Sequence, residues 1–126
     1  MSCGRGKSTK IFVVDDDEAV RDAIKGLLEI HGLDVEDFGS TADFVRGCAK
    51  SSQGCLILDQ HLPHINGLEF LNSPEGRELG IPVILITAQG NASIKGRAER
   101  AGAQYLEKPI RRGSLIQAIE RAIGRC

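Results

Sequence analysis

The apolar positions of this chain fall into short blocks separated by polar punctuation. Ile11 to Val14, Cys55 to Leu58 and Val83 to Ile86 are continuous apolar runs, and Tyr105-Leu106 is a weaker fourth. Runs of this length without alternation suit strands buried on both faces. Between them the period changes to about 3.6. Val20, Ala23, Ile24, Leu27, Leu28 and Ile30 predict a helix from about Glu18 to His31, with Asp17 as N-cap and Gly32 as the stop signal. A short edge strand is expected near Asp34 to Asp37. Ser40 or Thr41 can cap a second helix, roughly Ala42 to Ala49.

The third helix is brief, Gly67 to Leu71, broken at Asn72-Ser73-Pro74, and a polar loop runs to Gly80. Pro82 opens the next strand, where its missing donor costs least. A fourth helix is expected near Ala92 to Ala101, weakened by the internal Gly96 and ended by Gly102. Strand five follows at about Gln104 to Leu106. Leu115, Ile116, Ile119, Ala122 and Ile123 then mark a last helix from about Gly113 to Ile123. The alternation predicts an α/β fold: a doubly wound, five-stranded parallel sheet with five helices on its two faces. The order 2-1-3-4-5 would put strands one and three at the switch point, where ligands bind.

Each apolar run ends in chemistry. The first ends in Asp15-Asp16-Asp17, the Cys55 run in Asp59, the third in Thr87-Ala88 and the fourth in Glu107-Lys108-Pro109. After Asp59, Pro63 and Asn66-Gly67 predict a loop with a tight turn. In a parallel sheet these strand ends share one rim, which collects Asp15, Asp16 and Asp59 with a hydroxyl and an ammonium. Three crowded carboxylates cannot all ionise cheaply. A divalent cation relieves the repulsion, and hard oxygen ligands favour Mg²⁺. Metal, carboxylate, hydroxyl and ammonium together suit phosphoryl transfer, with one carboxylate as the nucleophile.

Composition narrows the alternatives. The chain has 126 residues, is 41% hydrophobic and 26% charged, and carries a net charge of −1, which fits one soluble domain and gives no reason to expect a nucleic-acid or membrane partner. Only 4% of residues are aromatic and none is Trp, so base-stacking platforms are not expected. Cys3, Cys48, Cys55 and Cys126 show no CxxC spacing and read as free thiols of a reducing cytoplasm. Residues 1–9 read as a flexible basic tail. Its Gly6-Lys7-Ser8-Thr9 resembles the end of a P-loop but precedes a strand instead of following one. His61 and His64 lack a suitably spaced third ligand for zinc. Arg97, Arg100, Arg111, Arg112 and Arg121 are candidates for a docking surface against the plainer reading of solvated helix faces.

With VVDDD at Val13–Asp17, LILDQHLP at Leu56–Pro63, ITA at Ile86–Ala88 and KP at Lys108–Pro109, residues 10–126 resemble the receiver domain of bacterial two-component response regulators. The resemblance implies a flavodoxin-like fold and a phosphoacceptor switch fed by a sensor histidine kinase or histidine phosphotransfer protein. It implies a signalling protein that catalyses only its own phosphorylation and dephosphorylation, in the cytoplasm. Asp59 would be the phosphoacceptor, with Thr87 and Lys108 assisting. Asp16 would ligate Mg²⁺ directly, Asp15 through water, and Asp59 and the His61 main-chain carbonyl would complete the protein ligands. Thr87 and Tyr105 would form the switch, and Lys108 would precede a cis Pro109 bond. Leu62 stands where Met is usual, a volume-conserving swap. His61 and Gln89 occupy variable positions that bear on dephosphorylation. Ile94, Arg97, Tyr105 and Arg112 would line a homodimer or partner face formed by the fourth helix, fifth strand and fifth helix. Competing readings are a non-phosphorylated module of the same fold, against which the intact Asp15, Asp16, Thr87 and Lys108 argue, and an aspartyl phosphatase. The phosphatase would want an acid two residues after its nucleophile, where His61 stands.

Overall fold

The computed structural model describes residues 10–47 and 54–124. The expected tail at residues 1–9 and the predicted end of the second helix at Cys48 and Ala49 lie outside them. Five strands form one parallel sheet: β1 (Lys10–Val14), β2 (Asp34–Phe38), β3 (Cys55–Asp59), β4 (Val83–Thr87) and β5 (Gln104–Glu107). Their order is β2-β1-β3-β4-β5, the doubly wound order expected above.

Side-chain alternation divides the core between the two faces of the sheet. Phe12, Val14, Leu56, Leu58 and Leu85 point to one face and meet Phe44, Leu68, Phe70 and Ala98. Ile11, Val13, Ile57, Ile84 and Ile86 point to the other and meet Ile24, Leu28, Leu115 and Ile119. Helices α1 (Glu18–Ile30) and α6 (Arg112–Ile123) therefore cover the second face. Helices α2 (Thr41–Gly47), α3 (Gly67–Leu71) and α5 (Ala92–Arg100) cover the first. All residues of β3 and β4 are buried, which is why both read as unbroken apolar runs. Phe12, Phe38, Phe44 and Phe70, the four phenylalanines of the chain, form a linked cluster with centroid separations from 5.4 to 6.4 Å.

The caps follow local chemistry. Asp17 accepts from the N–H groups of Ala19 and Val20 at the start of α1. Ser40 rather than Thr41 caps α2, its Oγ accepting from Asp43 N at 3.1 Å. Gly32, at φ 79°, takes the left-handed position after α1.

Two expectations need correction. Among the described residues there are six helices, not five: Ser73 caps an extra single turn, α4 (Pro74–Arg77), inside the expected loop. Pro74 starts it because a first-turn N–H has no intrahelical partner to lose. Nor is Asn66-Gly67 the tight turn. Asn66 caps α3 in a reciprocal pairing with Glu69. The turn lies earlier, where Ile65 N donates to Pro63 O at 2.7 Å around His64 at φ 71°. Gly67 is required for proximity instead. A Cβ there would lie 2.6 Å from Leu85 Cδ1 and 2.8 Å from Asp59 O.

Candidate functional site

The four chemically marked strand ends do converge. Asp15 follows β1, Asp59 ends β3, Thr87 ends β4 and Lys108 follows β5. Pairing of Asp59 with Ile86 and of Thr87 with Glu107 brings these ends level along the rim. The Lys108–Pro109 peptide is cis.

Asp15 is fully buried and Asp59 is 2% exposed, whereas Asp16 faces solvent. Carboxylate oxygens of all three lie within 4.8 Å of one another. Lys108 Nζ donates to Asp15 Oδ2 at 3.1 Å and stands 3.4 Å from Asp59 Oδ1. That second contact is a charge pair without hydrogen-bond alignment, so Asp59 Oδ1 is buried with no hydrogen-bond donor. Burial, and then the Asp15 charge, push the Asp59 carboxyl above its usual range; the Lys108 ammonium and the His61 N–H oppose them without winning. Burial alone would lower Lys108, but the hydrogen bond and charge of Asp15, with the charge of Asp59, hold its ammonium above the ordinary lysine value.

The donor set fits a hard divalent cation. It offers crowded carboxylate oxygens, one of them buried and lacking a donor, and no soft ligand. The structure brings Asp15, Asp16, Asp59 and Lys108 into one cluster. Thr87 is buried at the next strand end, and its hydroxyl is already engaged: Oγ1 lies 2.9 Å from His61 Nε2 and accepts from Gln89 N at 3.1 Å. Tyr105 is half-buried, and its hydroxyl donates to Glu107 Oε2 at 2.9 Å. Burial, and then Glu107, push that phenol up. His64 lies in the loop after His61 and belongs to no candidate metal group among the described residues.

Three contributors escaped the sequence reading. Arg21 Nη1 donates to the Asp15 carbonyl at 2.7 Å. The Gln60 side chain accepts from Leu68 N at 2.9 Å and so ties the start of α3 to the end of β3. Gly90 lies under the Tyr105 hydroxyl, 1.7 Å from where a Cβ would stand. Only Arg21 had a signal, a basic residue on the first turns of a helix that follows three acids.

A family model for the response regulator receiver domain matches residues 11–120. The transcriptional regulatory protein FixJ of Azorhizobium caulinodans is 35% identical over 120 residues, spanning 94% of this chain and 57% of that protein. The transcriptional regulatory protein TdiR of Thauera aromatica is 34% identical over 119 residues, spanning 94% of this chain and 52% of that one. This chain thus spans about half the length of these curated relatives. Among solved structures, FixJ-N aligns with a TM-score of 0.83 at 31% identity, covering 94% of this chain and 95% of that one. The response regulator StyR aligns with a TM-score of 0.82 at 36% identity, covering 91% and 59%. The strand order, the acidic rim and the extent of the family match lead to one conclusion: this chain belongs to the response regulator receiver domain family.

Proposed function

We propose that the domain takes a phosphoryl group onto Asp59 from a phosphohistidine of a sensor kinase or phosphotransfer protein and relays it as a change of shape. The observation that carries this reading is the buried Asp59 oxygen that no donor satisfies, set between an ammonium and two further carboxylates. A buried acceptor that has an ammonium nearby but no aligned donor marks a place where an ion or a reacting group is expected.

In the transfer, an Asp59 carboxylate oxygen attacks phosphorus, the bond from phosphorus to the donor imidazole breaks, and the imidazole keeps the electron pair. Asp15, Asp16, Asp59 and the His61 carbonyl would hold Mg²⁺. When bound, the ion supplies positive charge that offsets the phosphoryl oxygens. Lys108 neutralises another part of that charge. Thr87 donates its hydroxyl to a phosphoryl oxygen once it leaves His61. The product carries about −1.5 to −2 charge where the carboxylate carried less. Tyr105 then leaves Glu107 for space beneath α5, altering the α5–β5–α6 face on which Ile94, Arg97 and Arg112 stand. A homodimer or protein partner would read that face. On this reading the domain is a cytoplasmic signalling switch rather than a turnover enzyme, and its net charge of −1 gives no reason to expect a nucleic-acid contact of its own. Transcriptional control, the role printed in the names of TdiR and FixJ, is the output this reading favours. No helix among the described residues is long and apolar enough to cross a membrane.

Incubation with acetyl phosphate tests the reading. Intact mass should increase by one phosphoryl group with Mg²⁺ and not with EDTA, and Asp59→Asn should abolish the gain. Labelling of Asp59→Asn to the wild-type extent moves the acceptor elsewhere.

A further inference from the structure

The Asp16 carboxylate has no hydrogen-bond or ion-pair partner among the described residues, so its direction depends on the backbone that carries it. That backbone is held from both sides. Asp15 N donates to Phe38 O at 3.2 Å, which ties it to the end of β2. Asp17 N donates to Asp15 Oδ1 at 2.9 Å. The remaining handle is the Asp15 carbonyl, which shares one rigid plane with the N–H of Asp16. Arg21 Nη1 holds that carbonyl at 2.7 Å, while Arg21 Nε donates to Asp37 Oδ2 at 3.0 Å. Lys25 Nζ lies 3.4 Å from the other Asp37 oxygen. The Arg21 and Asp37 side chains are only 18% and 22% exposed. A Cβ at Gly39 would stand 3.3 Å from Arg21 Nη1, so the glycine leaves the guanidinium its room.

We propose that Arg21 is a positioning residue for the cation site: a two-pronged strut from Asp37 at the end of β2 to the Asp15 carbonyl, which sets the peptide plane from which Asp16 faces the cation. This rests on the reading of the acidic cluster as a Mg²⁺ site. The planar fork matters, because one guanidinium serves a carboxylate and a carbonyl at once where an ammonium is a single point of charge. Charge and positioning act in opposite directions here. A nearby cation repels Mg²⁺, so deleting its charge alone would tighten metal binding. Deleting a support of the ligand backbone would weaken it.

The test is the Mg²⁺ dissociation constant, measured by calorimetry on folded wild type, Arg21→Gln and Arg21→Lys, with amide exchange at Asp15 and Asp17, both hydrogen-bonded here, as a second readout. Arg21→Lys should bind about 10-fold more weakly, the lower end of what loss of such support costs. Arg21→Gln should be weakened less, because its lost charge acts the other way, and both amides should exchange faster in each variant. Arg21→Lys keeps the charge and the helix propensity, so it decides the matter if Arg21→Gln does not fold. Wild-type or tighter affinity in Arg21→Lys overturns the strut, even if both variants melt at lower temperature. Asp16→Asn separates the two levels of the argument. If wild type binds Mg²⁺ and Asp16→Asn does not, the site reading stands whatever Arg21 does. If wild type binds none, the site reading fails and the strut with it.

Discussion

The hydroxyl of Thr87 and the imidazole of His61 are joined by a 2.9 Å hydrogen bond that spans the ends of β4 and β3. Gln89 N also donates to that hydroxyl, and whether His61 Nε2 donates or accepts in the pair follows its tautomer. In either tautomer the bond holds the Thr87 hydroxyl toward His61, and a group that draws the hydroxyl toward Asp59 breaks it.

His61→Ala should therefore raise affinity for a phosphoryl mimic such as beryllofluoride. The net worth of one such bond, about 0.5–1.5 kcal/mol, corresponds to roughly 2- to 12-fold. Titration of wild type and variant with the mimic in excess Mg²⁺ measures it. Equal affinity would mean that His61 follows Thr87 without opposing it.

Two carboxylates should show opposite pH behaviour. Asp59 has a raised folded pKa, so its ionised form destabilises the metal-free fold. The penalty is full above the folded pKa and fades as pH falls toward the ordinary carboxylate value. Asp59→Asn should be more stable than wild type at neutral pH in EDTA, with the gain shrinking in mild acid. At Asp37, burial raises the pKa, but Arg21 and Lys25 outweigh it and leave the group lowered. Its stabilisation is present above the unfolded value and is lost as pH falls through the folded one. Asp37→Asn should thus be less stable at neutral pH, with the deficit vanishing in acid. Denaturant melts across that range would refute the assignments if the two differences ran in the same direction.

Gly67→Ala introduces a Cβ at 2.6 Å from Leu85 Cδ1 and 2.8 Å from a main-chain oxygen of Asp59. Backbone cannot yield as a long side chain does, so the variant should lose about 1–3 kcal/mol. Chemical denaturation gives the number. A neutral result would show that α3 can retreat from the strand ends without cost.

Gly90→Ala meets the Tyr105 hydroxyl at 1.7 Å and Glu107 Oε2 at 2.5 Å, both far ends of flexible side chains. Stability should change by less than about 1 kcal/mol, while the Tyr105–Glu107 bond breaks. Tyr105 is the chain's one tyrosine and there is no Trp, so intrinsic fluorescence reports this residue alone. Its emission should change in Gly90→Ala, and addition of beryllofluoride should then change it less than in wild type. An unchanged spectrum means that the hydroxyl was not held there.

Periodicity and punctuation in the sequence determined the five strands and the polar ends carrying Asp15, Asp16, Asp59, Thr87 and Lys108, because strands buried on both faces leave continuous apolar runs and polar groups can then sit only at their ends, while the strand order came with the family resemblance. The α4 turn was not legible, since one turn capped by Ser73 is too short to show a period. Gly67 was misread because proximity of two backbones leaves the same letter in the sequence as a turn. Only the tertiary structure decided that the Thr87 hydroxyl is engaged by His61, that Tyr105 rests on Glu107 over Gly90, and that Arg21 joins Asp37 to the Asp15 carbonyl. Those contacts depend on how parallel strand ends and helix starts are set against one another, a distance that no local pattern of residues encodes.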